Sequence, residues 1–301
     1  MNTADMTAKI ADGQGFIAAL DQSGGSTPKA LNGYGVEDGA WTTDDEMFGL
    51  IHDMRARIIL SDAFTGDKVI GAILFERTMD GQAGGKPVPQ ALADKGVVPF
   101  LKIDKGLENE ADGVQLMKPN PDLDTLLARA AKLGIFGTKE RSVVNLANRV
   151  GIAAIVRQQF EIADQVLSHG LMPIIEPEVN IKSAERAQAD AILLDETLKA
   201  LDGMTGDDKV MLKLSLPAEP GLFQPLVDHP RVLRVVALSG GFSRTEACAE
   251  LAKNPGIIAS FSRALLSDLR QQMTDAEFDR ALGKAIDEIH CASTEKTFVA
   301  A

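Results

Sequence analysis

Aromatic side chains are scarce in this chain: one Trp (Trp41), one Tyr (Tyr34) and twelve Phe among 301 residues. The interior must rest on Leu, Ile, Val and Ala, as parallel α/β cores do. The same scarcity argues against the stacked aromatic platforms of glycoside-cleaving clefts. Cysteine is scarcer still. Cys248 and Cys291 form no ligand or disulfide spacing and read as two reduced thiols of a cytoplasmic protein. The four histidines, His52, His169, His229 and His290, are scattered without metal-ligand spacing, so no metal and no cofactor is expected. Positive charge is in deficit: the net charge of -12 argues against non-specific nucleic-acid binding. No apolar run approaches the ~20 residues of a membrane span. Met1-Asn-Thr-Ala-Asp5 has neither the basic nor the apolar stretch of a leader. A cytoplasmic chain with no membrane partner is expected, and a homo-oligomer is left open.

Short apolar runs of strand length are abundant. They fall at residues 15–20, 69–75, 97–103, 135–141, 171–178, 210–216, 232–238 and 256–261. Helical spacing lies between them. In Asp44 to Leu60 the residues Met47, Leu50, Ile51, Met54 and Ile58 share a face. Ser243 and Thr274 read as N-caps, with Glu246 completing a capping box after Ser243. Residues 81–89 and 108–121 read as loops. Eight strands alternating with helices, and no linker-like composition, predict one (β/α)₈ TIM barrel over residues 1–301, with a C-terminal helix and a short tail. An open doubly wound sheet is the competing fold, but no Gly-x-Gly-x-x-Gly follows the first strand.

One strand carries a lysine out of place. In Val210-Met-Leu-Lys-Leu-Ser-Leu216, Lys213 is surrounded by apolar residues. Desolvation disfavours an ammonium, and a neutral lysine is a nucleophile toward carbonyls. The plainer alternative is a strand-end lysine whose head reaches water. Other polar residues collect at the same end of their strands: Asp21, Lys102, Asp104, Lys139, Arg141, Glu176, Glu178, Ser239 and Arg263. In a barrel of this kind that end is the active-site face. Alternation puts Lys102 with Asp104, Lys139 with Arg141, and Glu176 with Glu178 on common faces. Each pair alone is also readable as a surface ion pair or a solvated strand end. The Ser/Gly loop Asp21-Gln-Ser-Gly-Gly-Ser26 and the loops at Ser239-Gly-Gly241 and Arg263 suit phosphate groups.

Seven segments in order and spacing resemble class I fructose-1,6-bisphosphate aldolase. They are Leu20-Asp-Gln-Ser-Gly-Gly-Ser26, Lys102-Ile-Asp-Lys-Gly106, Lys139-Glu-Arg141, Pro173-Ile-Ile-Glu-Pro-Glu178, Leu212-Lys213, Leu238-Ser-Gly-Gly241 and Ser262-Arg-Ala264. The resemblance implies a Schiff-base lysine at Lys213 and a general acid/base at Glu176. Asp21 and Lys139 become their partners, with Lys139 a cation that further lowers the lysine's proton affinity, and Arg141 and Glu178 support the site. It implies that Ser239, Gly240 and Arg263 hold the phosphate of the ketone half. Ser23, Ser26 and Lys102, with Asp104 beside it, hold that of the aldehyde half. The implied ligand is a small phosphosugar. Three features depart from animal members and suit a shorter bacterial branch: Lys213-Leu-Ser replaces Lys-Pro-Asn, Ser262 replaces a glycine, and the tail Phe298-Val-Ala-Ala301 carries no tyrosine. A two-carboxylate glycosidase and a non-enzymatic phosphosugar-binding protein are the competing functions.

Overall fold

The computed structural model describes residues 1–37 and 39–297; the tail from Phe298 onward lies outside the described residues. Eight strands follow one another round a sheet in chain order. They are β1 (Phe16–Leu20), β2 (Val69–Leu74), β3 (Val98–Lys102), β4 (Gly137–Val144), β5 (Met172–Val179), β6 (Val210–Ser215), β7 (Val232–Leu238) and β8 (Ile257–Ala259). All neighbouring pairs are parallel. Ala19 N donates to Phe261 O at 3.0 Å, which joins β1 to the chain just beyond β8. The eight parallel strands thus form the expected α/β barrel. Outside them lie α2 (Ser26–Gly33), α3 (Asp44–Leu60), α4 (Leu123–Lys132), α5 (Arg149–Ser168), α6 (Arg186–Asp202), α7 (Arg244–Ala252) and α8 (Asp275–Thr294). Before them α1 spans Thr3–Asp12.

The helix starts follow local chemistry. Thr43 and Glu46, Ser243 and Glu246, and Thr274 and Glu277 form reciprocal capping boxes that satisfy otherwise orphaned N–H groups. The buried stripe of α3 is Met47, Ile51, Met54, Arg55, Ile58 and Ile59. One polar residue, Arg55, thus interrupts an apolar face. Most buried apolar side chains fill the layer between sheet and helices. A second cluster fills the barrel itself: Ile17, Ala19, Ile73, Val98, Phe100, Phe136, Ile174, Met211, Val236 and Ile258, closed below by Met6 and Ile10 of α1. So α1 plugs the barrel's N-terminal mouth rather than joining the outer layer. Phe100 and Phe136 meet edge to face with centroids 5.4 Å apart. Truncating Phe100 to Ala would cost about 3–5 kcal/mol. Gly137 opens β4 because a Cβ there would lie 2.1 Å from the Met172 carbonyl oxygen.

Some local expectations change. The first helix, which the sequence suggests over Thr7 to Asp12, begins at Thr3, capped by Asn2. Helix α2 was not foreseen, because its sequence Ser-Thr-Pro-Lys-Ala-Leu-Asn-Gly offers only Thr27 and Leu31 as buried positions. The segment 81–89 holds a two-residue hairpin, Gln82–Ala83 with Lys86–Pro87, and then a helix at Val88–Asp94. Within 108–121, Val114–Gln115 pairs antiparallel with the end of β4.

Candidate active site

The lower half of the barrel interior is apolar and the upper half is charged. Moving up each strand by two residues keeps a side chain inside. Ala19 is therefore followed by Asp21, Phe100 by Lys102, Gly137 by Lys139, Ile174 by Glu176 and Met211 by Lys213. These residues line the floor of a cavity of about 730 Å³ at the C-terminal ends of the strands. All the residues singled out in the sequence line it: Asp21, Ser23, Ser26, Lys102, Asp104, Lys139, Arg141, Glu176, Glu178, Lys213, Ser239, Gly240 and Arg263. Strand periodicity brings them together, since seven of the eight strand ends contribute to one mouth.

Lys139 is the hub. Its Nζ lies 2.8 Å from Asp21 Oδ2, 2.9 Å from Glu176 Oε2 and 4.0 Å from Asp104 Oδ2. The Glu176 contact is an ion pair without hydrogen-bond alignment. Glu176 turns its other oxygen to Lys213, with Oε1 3.0 Å from Nζ. One carboxylate therefore bridges two lysines. The apolar surround that the Lys213 strand suggests stops short of the side chain's end, which enters this network with the residue only 3% exposed.

The electrostatics follow from burial and partners. Burial alone would raise the Asp21 carboxyl, but Lys139 and then Lys213 outweigh it and hold it well below its ordinary value. Burial likewise opposes ionisation of Glu176, and Lys139 and Lys213 again prevail and lower it. For Lys139, burial would lower the ammonium, whereas Asp21, Glu176 and Asp104 raise it far above a free lysine. Lys139 is therefore a fixed cation that keeps two carboxylates ionised.

The outer parts of the cavity are built differently. Lys102 Nζ contacts Asp104 Oδ1 at 2.7 Å and the Asp104 carbonyl at 3.0 Å, as their shared face suggested. Arg141 Nε donates to Glu178 Oε2 at 2.5 Å. Ser26 Oγ donates to the Ser23 carbonyl at 2.9 Å and accepts from Ser23 N at 3.1 Å, which shapes the turn into α2. Gly240 adopts φ of 59°, and a Cβ there would lie 2.8 Å from Ile181 Cγ2, so glycine is the residue that fits. Arg263 reaches the same loop: its Nη2 lies 3.8 Å from where a Cβ on Gly241 would be. Six cations (Lys29, Lys102, Lys139, Arg141, Lys213, Arg263) and four carboxylates (Asp21, Asp104, Glu176, Glu178) line the cavity. This excess of positive charge stands within a chain of net charge -12. Among the described residues no three of His, Cys, Asp and Glu are grouped to hold a metal ion.

Several lining or supporting residues were not identified from sequence. Gln22 donates from Nε2 to Ser262 Oγ, so the serine that replaces a glycine links the first and last strand ends. Arg55 holds Gln22 by its carbonyl and donates to Thr78 Oγ1 at 2.8 Å. Lys29, Tyr34, Met54 and Leu266 extend the cavity toward α2 and α3. A signal for Arg55 was present: it falls on the apolar stripe of its helix, where a fully buried guanidinium needs partners.

A family model described as glycolytic, class-I fructose-bisphosphate aldolase, matches residues 2–217. That match runs from α1 past Lys213 and leaves out the loops after β7 and β8. Among solved structures, the fructose-bisphosphate aldolase of Plasmodium falciparum, crystallised with TRAP and a small-molecule inhibitor, aligns with a TM-score of 0.80. Identity is 21%, covering 99% of this chain and 95% of that one. A Corynebacterium glutamicum protein aligns with a TM-score of 0.52 and 14% identity, over 96% of this chain and 92% of its own. At these identities the likeness to solved structures speaks to the fold.

Proposed function

The chain belongs to the class-I fructose-bisphosphate aldolase family, and on that premise we propose that it cleaves fructose 1,6-bisphosphate reversibly through a Schiff base on Lys213. The products are dihydroxyacetone phosphate and glyceraldehyde 3-phosphate. The observation that carries this reading is the Lys213–Glu176–Lys139 chain on the floor of a cavity with excess positive charge.

Lys213 must lose a proton before it can attack the C2 ketone. Glu176, 3.0 Å away, is the acceptor in place. The proton it takes up is then returned to the carbinolamine hydroxyl, which leaves as water and yields the iminium. Glu176 is a carboxylate again and can accept the C4 hydroxyl proton as the C3–C4 bond breaks. The bonding electrons flow into the iminium and form an enamine, with glyceraldehyde 3-phosphate departing. Protonation at C3 and hydrolysis release dihydroxyacetone phosphate and free Lys213. Lys139 supports this cycle by holding Glu176 and Asp21 in their ionised forms between steps. Asp21, a strongly held anion, is a hydrogen-bond acceptor for a substrate hydroxyl. Because the iminium already serves as the electron sink, no Lewis acid is required.

The two substrate phosphates are assigned to opposite sides of the mouth. Ser239, Gly240 and Arg263 take the ketone half, and Ser23, Ser26 and Lys102 the aldehyde half. The decisive experiment is borohydride reduction in the presence of dihydroxyacetone phosphate. A stable adduct on Lys213 is expected, and Lys213→Ala should lose both labelling and activity while staying folded. An adduct mapped to Lys139 or Lys102 would overturn the assignment.

A further inference from the structure

The wall of the barrel is unusual behind the two catalytic candidates. Outward-facing residues of β5, β6 and β7, such as Ile175, Leu212, Leu214, Val235 and Ala237, join the apolar layer under the helices. The outward face of β4 instead carries Thr138, Glu140 and Ser142, all fully buried or nearly so. Helix α5 packs over it with the buried stripe Ile152, Ile155, Val156, Gln159, Ala163 and Val166. Gln159 is the polar exception, and it is completely buried. Its Nε2 donates to Ser142 Oγ at 2.9 Å and to the backbone carbonyl of Glu176 at 3.2 Å.

The second bond holds β5 at the residue just beyond the end of its ladder with β6. Strands β5 and β6 pair only through Ile174 with Met211 and Ile175 with Leu212. The ladder ends there, one residue before Glu176 on one strand and Lys213 on the other. Farther up, Ser215 Oγ donates to the Val179 carbonyl at 2.7 Å, a side-chain link between these two strands. The pair that must stay aligned thus sits just beyond the last backbone rung.

We propose that Gln159 is a positioning residue for the reaction: its amide holds the Glu176 peptide from α5, beside the point where β6 supplies no further rung, so that the carboxylate stays between Lys213 and Lys139. This inference rests on the aldolase reading. Glu140, on the same outward face of β4, is fully buried, and neither its carboxyl oxygens nor Gln159 Oε1 has a hydrogen-bond partner. Burial first, and Asp104 second, raise the Glu140 carboxyl well above its ordinary value against the opposing pull of Lys139.

The test is the rate of borohydride-trapped adduct formation with dihydroxyacetone phosphate, alongside kcat and KM for the bisphosphate. Gln159→Met keeps length and removes the donor, and Gln159→Glu keeps shape if the first variant does not fold. Either folded variant should form the Lys213 adduct about 10- to 100-fold more slowly, the size of effect that a small misplacement of a reacting group produces. The fall should appear in kcat, with KM changed by no more than about threefold, because the phosphate loops lie on other strands. Ser142→Ala, which leaves the Glu176 carbonyl bond in place, should stay close to the wild-type rate. Wild-type trapping and kcat in a folded Gln159 variant would refute the positioning role. Absence of any adduct in the wild-type protein would instead refute the aldolase reading, and this inference with it.

Discussion

Replacing Lys139 with Met removes the cation while nearly keeping the side chain's length. In the wild-type site its ammonium lies 2.8 Å from Asp21 and 2.9 Å from Glu176, with both acids almost wholly buried. Removing one partner from a buried ion pair costs about 3–5 kcal/mol, because the charge left behind has lost its partner and is not solvated; Asp21 is left in that state, whereas Glu176 keeps Lys213 at 3.0 Å. The remaining acids have an escape: they can take up protons. In the wild type Asp21 and Glu176 are held below their ordinary values. Their stabilising contribution is therefore present above the unfolded values, near pH 4, and is lost as pH falls through the folded ones. In the variant both acids lose the cation that lowers them most and move up, Asp21 further than Glu176, which keeps Lys213. Their contribution is then present below about pH 4 and lost as pH rises through the raised folded values. Between about pH 4 and pH 7 the wild-type contribution is flat while that of the variant falls. Urea unfolding followed by circular dichroism at several pH values reads this directly. The difference in unfolding free energy should reach about 3–5 kcal/mol near pH 8 and shrink steadily toward pH 4. Asp190, which has a raised value in the wild type and does not depend on Lys139, cancels in the difference, whereas Glu140 loses the opposing pull of Lys139 and shifts further up, in the same direction as the two acids. A difference that does not change with pH would refute the argument that Lys139 holds these acids ionised.

Four other outcomes are expected. Asp190 is pushed up to about 6 by burial, against the Ala218 N–H and Arg186, so its favourable contribution is lost as pH rises from about 4 through 6. Asp190→Asn keeps an acceptor for Ala218 N and should gain about 2–3 kcal/mol relative to wild type across that window; parallel denaturation profiles would reject this. Arg263→Ala should weaken both the bisphosphate and dihydroxyacetone phosphate, and Lys102→Ala chiefly the bisphosphate, each about 10- to 100-fold in titration calorimetry; equal effects on both ligands would contradict the divided phosphate sites. Activity should survive exhaustive EDTA treatment, and a loss restored by zinc would assign different chemistry. Removing residues 298–301 should leave cleavage and tritium exchange from dihydroxyacetone phosphate nearly unchanged, whereas a selective drop in exchange would give the tail a part in proton transfer. The cut belongs there and not at residue 292, because Ala292 and Ser293 are buried and Lys296 Nζ donates to the Ile257 carbonyl at 2.6 Å.

Much of the fold was legible because its signals are local. The apolar runs that become β1 to β8 are bounded by turn residues, and the capping boxes at Ser243 and Thr274 occupy adjacent positions in the chain. The candidate site was legible for a related reason. A polar residue ending an apolar run marks a strand's upper end, and the barrel gathers all such ends on one face. Weakly patterned segments were less readable. Helix α2 has few buried residues, and the hairpin at Gln82–Pro87 is two rungs long, so neither has enough periodicity to register.

The sequence by itself determined which side chains enter the barrel, because alternation along a strand fixes the face of Lys139, Glu176 and Lys213. Their mutual arrangement was decided by the tertiary structure. That Glu176 bridges two lysines depends on strand register and side-chain reach between residues far apart in the chain. Arg55 and Gln159 look like interruptions of apolar helix faces until the elements opposite them are known. Only then does Arg55 become the partner of Gln22, and Gln159 the partner of the Glu176 carbonyl. The end of the β5–β6 ladder just before the catalytic candidates has no mark in either strand's composition. Strand formation is written in the neighbours along the chain, whereas pairing and its interruptions are settled by what packs across it.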